Sequence, residues 1–221
     1  MRKIMALWAL CTAAGAAHAQ IWVEVGDAPS TLPGQITLGI GPLTDIVGTL
    51  GAPGDVDLYC IFIHDPAAFG AWTESAFPPG ALGPAGAAFD TQLWLFDHMG
   101  FGVLHGDDSG LSTLSGIGAV PVPLVGPPPV ILPGYYWLGI SGYNTDPLNP
   151  AGSLIWLNTP FISQRVPDGP GAPGPLSGWT GTSGTGDYHI VLSGASFCDV
   201  PAPGALGLAG LAALAALRRR R

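Results

Sequence analysis

The chain has 221 residues, 48% of them hydrophobic and only 10% charged, with 34 glycines and 23 prolines. Four of its seven basic residues are its last four and two more stand at positions 2 and 3, so between Gln20 and Leu217 a single cation, Arg165, faces fifteen carboxylates, a net of −14. That balance excludes nucleic-acid binding, which depends on Lys and Arg neutralising phosphates, and it weighs against anionic membranes and anionic polysaccharides unless divalent cations bridge them.

The first residues, MRKIMALWALCTAAGAAHAQ, place Arg2-Lys3 before an apolar run and end it at Ala17-His18-Ala19. This is the layout of a secretory signal helix with a small-x-small cleavage site, which assigns residues 1–19 to export and implies signal peptidase and the secretion machinery as partners. The run is short for a membrane span. Cys11 does not make a lipoprotein signal, because Leu10 occupies the position where a small residue is wanted.

Glycine and proline make up about a quarter of the chain, a level that often marks disorder. Regularly spaced aromatics and many short apolar runs set off by Gly, Pro and Asp read instead as an all-β sandwich or barrel, with one domain over 20–199. Strands are expected at 35–38, 44–50, 56–63, 70–76, 91–96, 102–105, 135–141, 154–157 and 188–192. The segments DVDLYCIFI and TQLWLF are apolar at both alternating sets of positions, with Leu93 and Leu95 on one face and Trp94 and Phe96 on the other. Strands of that kind are covered on both sides. In DYHIVLSG, Tyr188, Ile190 and Leu192 alternate with His189, Val191 and Ser193. Residues 78–88, 121–133 and 166–175 are dense in Pro and Gly and read as long loops. Two cysteines remain after signal removal, Cys60 and Cys198. In an exported chain the pair reads as a disulfide, the alternative being two separate buried thiols.

Four segments in order, DVDLYCIFI (55–63), FDTQLWLFDHMGFGVLHGDDSG (89–110), PGYYWLGISGY (133–143) and GDYHIVLSGA (186–195), together resemble the bacterial pre-peptidase C-terminal domain over about 44–195. The resemblance implies a jelly-roll-type antiparallel β-sandwich. Pro-rich insertions depart from that family's pattern, and no role as accessory to a peptidase in the same chain is carried over.

The end of the chain, from Val200, is VPAPGALGLAGLAALAALRRRR. It resembles a PEP-CTERM sorting signal: Pro201-x-Pro203 followed by Gly204, a hydrophobic helix, and Arg218, Arg219, Arg220 and Arg221. Ala202 stands where that family usually carries Glu. The resemblance implies processing by an exosortase-like membrane enzyme. On physical grounds, the apolar stretch 205–217 makes a helix of about 20 Å, shorter than a hydrocarbon core of about 30 Å, and the arginines hold to the cytoplasmic side. Such a segment suits a transient membrane stop; an ordinary tail anchor is the alternative.

Asp55, Asp57, Asp90, Asp97, Asp107 and Asp108 fall at expected strand ends and turns. Oxygen ligands from several short loops suit Ca²⁺, but Asp97-His98-Met99-Gly100 and Asp107-Asp108-Ser109-Gly110 are also ordinary turn chemistry, and the spacing matches no EF-hand. A zinc site from His98, His105 and Asp107 or Asp108 fits no recognised ligand spacing. No Gly-x-Ser-x-Gly elbow follows a strand, whereas two convergent carboxylates for a hydrolase remain open. Trp179, in the loop PLSGWTGTSG, is either an exposed platform for stacking carbohydrate or a loop anchor. The expected function is a non-catalytic structural or adhesive protein of the cell surface or extracellular matrix, in contact with extracellular polysaccharide. The alternatives are a carbohydrate-binding module, calcium-dependent or not, and a secreted hydrolase.

Overall fold

A computed structural model describes residues 20–73, 87, 89–109, 113–120, 122–157 and 159–198. The signal segment and the tail with Pro201, Pro203, Gly204 and Arg218–Arg221 lie outside the described residues. The described chain is all-β, with fifteen short strands: β1 Ile21–Val23, β2 Gln35–Ile36, β3 Asp45–Leu50, β4 Val56–Ile63, β5 Gly70–Thr73, β6 Thr91–Asp97, β7 Gly102–Gly106, β8 Gly116–Gly118, β9 Leu124–Val125, β10 Gly134–Gly142, β11 Pro147–Leu148, β12 Gln164–Arg165, β13 Gly178–Trp179, β14 Gly186–Ser193 and β15 Ala195–Phe197.

Two sheets face each other. One runs β1-β3-β14-β5-β8; the other runs β15-β4-β10-β6-β7-β12-β9, with β2 also paired to β4. A separate ribbon joins β11 to β13. Between the sheets lies one core. It takes Ile46, Leu50, Ala71, Tyr188, Ile190 and Leu192 from the first sheet and Tyr59, Ile61, Leu93, Leu95, Leu138 and Ile140 from the second.

The larger sheet is covered on its back as well. Because successive side chains on a strand point to opposite faces, the residues between those core positions, Leu58, Trp94 and Phe96, point away from the sandwich. They meet Ile155, Trp156 and Leu176 from the long segment between β10 and β14, forming a second core. That is why DVDLYCIFI and TQLWLF carry apolar residues on both alternating faces: both faces of β4 and β6 are buried. The covering segment is also tied by polar contacts. The Trp94 indole donates to Ser141 Oγ at 2.8 Å, that hydroxyl donates to Thr145 O at 2.9 Å, and the Trp156 indole donates to Arg165 O at 3.2 Å.

The expected strand at 154–157 does not form. Leu154 makes only an isolated bridge to Leu148, and Ile155 and Trp156 act as plugs against the back of β4 and β6 rather than as ladder members. Of the expected strand 70–76, the described part ends at Thr73. Residues 35–38 shorten to a two-residue strand. The loop 121–133 carries a short strand, β9, parallel to β12. Gly100, at φ +89°, lets the β6–β7 hairpin close without the steric cost a side chain would meet there.

Cys60, in β4, and Cys198, just after β15, are joined by a disulfide with Cα atoms 5.4 Å apart. Thr37 brackets it, donating from Oγ1 to Cys60 O at 2.7 Å and accepting from Cys198 N at 3.0 Å. The last described residue of the chain is thereby fastened to a central strand.

Candidate functional site

The six aspartates singled out in the sequence divide among three places. Asp97 is a turn carboxylate: its Oδ1 accepts from Met99 N at 2.8 Å and Phe101 N at 2.9 Å, holding the hairpin between β6 and β7. His98 sits in that same turn, whereas Asp107 and Asp108 follow β7 at its other end. The zinc arrangement of His98, His105 and these aspartates is therefore not assembled. His105 is buried and stacked on Trp94 with ring centroids 3.9 Å apart, and burial pushes its pKa down to about 3, so the ring is neutral.

Asp55 and Asp57 lie near Glu24 and Asp27, two acids the sequence did not single out. Glu24, Asp27 and Asp57 bring ligand-capable oxygens within 4.8 Å of one another. Above them opens a hollow of about 900 Å³, lined by the carboxylates of Glu24, Asp27, Asp55 and Asp187 and by backbone of the segment 51–54. Most of these acids already hold structure. Glu24 accepts from Ala28 N and Thr49 N, both at 2.8 Å. Asp55 accepts from Gly51 N at 2.7 Å and Val56 N at 2.9 Å, and Asp187 accepts from Thr49 Oγ1 at 2.7 Å. Carboxylates engaged in this way are poorly placed as a free acid–base pair.

Asp57 points into the sandwich, on the same face of β4 as Tyr59. It is fully buried. One oxygen accepts from the Tyr188 hydroxyl, which lies 2.5 Å from the Tyr59 hydroxyl; the other oxygen has no partner among the described residues. Burial, assisted by the charges of Glu24, Asp55 and Asp27 and opposed by the Tyr188 hydrogen bond, pushes its pKa up to about 8. The same burial raises both tyrosines, which stay protonated.

The third place is the end of the β6–β7 hairpin away from Asp97. Asp90, just before β6, and Asp107 and Asp108, just after β7, bring carboxylate oxygens within 4.8 Å of one another. Asp107 is buried, and its pKa is pushed up to about 7, first by desolvation and then by the charges of Asp108 and Asp90. Desolvation also raises Asp90 and Asp108. Gln92, fully buried, reaches from Nε2 toward Asp107 Oδ2 at 3.5 Å and Asp146 Oδ1 at 3.4 Å. Arg165 does not reach this group. Its guanidinium pairs with Asp168 at 2.9 Å and donates to Leu157 O at 2.5 Å, beneath Trp156.

Trp179 is not an open platform. Its indole donates to Ser30 O at 2.6 Å, and its ring packs edge-on against Trp94 and Phe96 at 5.9 and 6.2 Å. It anchors β13 to the second core, a role available because β6 leaves aromatic surface on its back.

The Glu24–Asp27 pair carries no local signal in the sequence: both lie in a segment with no periodicity, and it takes long-range pairing, β1 alongside β3, to group them with Asp57.

Residues 199–221 match the family model of the PEP-CTERM protein-sorting motif. The match supports an exported, exosortase-sorted protein. It begins at the residue after Cys198 and leaves the resemblance of 44–195 to the pre-peptidase C-terminal domain without a family model behind it. No curated protein matches the chain.

Proposed function

We propose that this chain is a structural or adhesive protein of the cell surface or extracellular matrix, non-catalytic, whose working part is the sandwich and whose tail directs its sorting. The observation that carries the reading is the position of the sorting motif, 199–221, immediately behind a disulfide that fastens residue 198 to β4. A tail attached there is removable without loosening any strand. In this reading signal peptidase removes residues 1–19, and the tail stops in the membrane until an exosortase-like enzyme processes it. The mature domain, at −14 before the loss of Asp199 or any other acid, is then released or attached outside. Its charge suits a soluble face in a cation-rich setting and contact with neutral polysaccharide, or with anionic polysaccharide through divalent cations. The jelly-roll likeness of 44–195 fits a non-enzymatic accessory role. The hydrogen-bonded state of Glu24, Asp55 and Asp187 favours it over a hydrolase.

Fractionating cells that carry an exosortase-type enzyme tests this reading. The unaltered chain is expected at the surface or in the medium. A variant with Arg218–Arg221 replaced by alanine loses its cytoplasmic stop and is expected to leave the surface fraction, with unprocessed tail on the exported chain. Identical location and processing of the two forms would contradict the proposal.

A further inference from the structure

We propose that Asp90, Asp107 and Asp108 form a calcium site at the open end of the β6–β7 hairpin. Three carboxylates converge there within 4.8 Å. The independent observation is a set of buried oxygens left unpartnered at the same place. Asp107 is only 3% exposed, yet its Oδ1 has no hydrogen-bond partner among the described residues, and the same holds for the buried Oδ1 of Asp90. Buried oxygens are ordinarily satisfied, and unsatisfied carboxylate oxygens on two members of one converging group are what a cation resolves.

The donor set selects the ion. Every candidate ligand is a carboxylate oxygen, and neither imidazole nor thiolate belongs to the group. That is the chemistry of Ca²⁺, which accepts six to eight oxygens with water completing a flexible shell, while Mg²⁺ demands a tighter octahedron and keeps its waters. Arg165 is committed to Asp168, so among the described residues no Lys or Arg neutralises the three charges. The acid group around Glu24 differs. Both oxygens of Glu24 and one of Asp57 are already hydrogen-bonded, which leaves it fewer free ligands.

The site has a structural consequence. Asp90 O accepts from Tyr143 N at 3.0 Å, and Asp108 N donates to Phe161 O at 3.0 Å. Both partners belong to the segment that covers the back of the larger sheet, and their rings meet at 5.9 Å. An ion held by Asp90, Asp107 and Asp108 therefore joins the start of β6 to the exit of β7 and steadies the cover at two points. The preference for calcium as the physiological ion rests on the exported reading above, since extracellular calcium modules work with dissociation constants of roughly 10⁻⁴–10⁻³ M; the site itself does not depend on that reading.

The test is thermal unfolding and titration calorimetry on the full chain in chelator, in millimolar Ca²⁺ and in millimolar Mg²⁺. Calcium is expected to raise the unfolding midpoint by about 4–8 °C, and magnesium by much less. Asp107→Asn and Asp108→Asn are expected to lose the calcium shift and the calorimetric signal while melting in chelator no lower than the unaltered chain. Asp27→Asn, in the other acid group, is expected to keep both. No calcium response, a response equal to magnesium's, one that survives both Asp107→Asn and Asp108→Asn, or one abolished by Asp27→Asn would each overturn the assignment. Because the measurement uses purified protein, it can fail while the export reading stands, and the reverse.

Discussion

Removing the Cys60–Cys198 bond, by reduction or by the paired change Cys60→Ala with Cys198→Ala, is expected to destabilise the sandwich by about 5 kcal/mol in the chain-entropy account of a 138-residue separation. Cross-links act chiefly by restricting the unfolded chain, and this one closes a long loop, across a separation of 138 residues. The folded state adds to the effect. With the bond cut, β15 is held by noncovalent contacts alone: its three-residue ladder to β4, the bridge of Ser196 to Pro42 and the hydrogen bonds of Cys198 N to Thr37. Denaturant unfolding with and without reductant measures the loss, and the tryptophans of the second core report it. An unchanged midpoint would contradict this and show that the noncovalent contacts of β15 suffice.

Replacing Asp57 by Asn is expected to stabilise the protein on the order of 3 kcal/mol at pH 8 and little at pH 4. In the unfolded chain an aspartate gives up its proton near pH 4, whereas Asp57 in the fold holds it to about pH 8. Between those values the folded state binds more protons than the unfolded one, so stability falls as pH rises. Asparagine removes that slope. Its amide oxygen still accepts from the Tyr188 hydroxyl, and its N–H₂ takes the place of the oxygen that has no partner among the described residues. Unfolding midpoints of the two proteins in chelator across pH 4–8 should diverge steadily. Parallel curves would mean that Asp57 is ionised and satisfied throughout.

How far the sequence disclosed this arrangement depends on the range of the forces involved. Strands β3, β4, β6, β7, β10 and β14 were legible because a buried strand writes its environment into every second residue, and TQLWLF recorded two environments at once. The second core was legible only as a requirement. The apolar set Leu58, Trp94 and Phe96 demanded a cover, but the residues that supply it, Ile155, Trp156, Leu176 and Trp179, come from segments without periodicity. Trp156 therefore read as part of a strand, and Trp179 as either an exposed platform or a loop anchor. Two-residue strands such as β9, β11 and β12 left no local pattern, because long-range pairing alone defines them. The aspartates were visible as residues. Their sorting into one turn, one buried tyrosine network and one convergent triad depends on which strand ends meet. Local chemistry did reveal the turn role of Asp97, through the glycine three residues later.

The tail was legible from its three-part layout, and its placement one residue beyond Cys198 links sorting to fold: the sandwich is complete before the sorting segment begins. Intact-mass measurement of the protein recovered from its native cell surface tests this most directly. The account predicts a chain that starts at Gln20, ends short of the apolar stretch 205–217, lacks Arg218–Arg221 and keeps the Cys60–Cys198 bond. A chain recovered from the cytoplasm with both ends intact would contradict it.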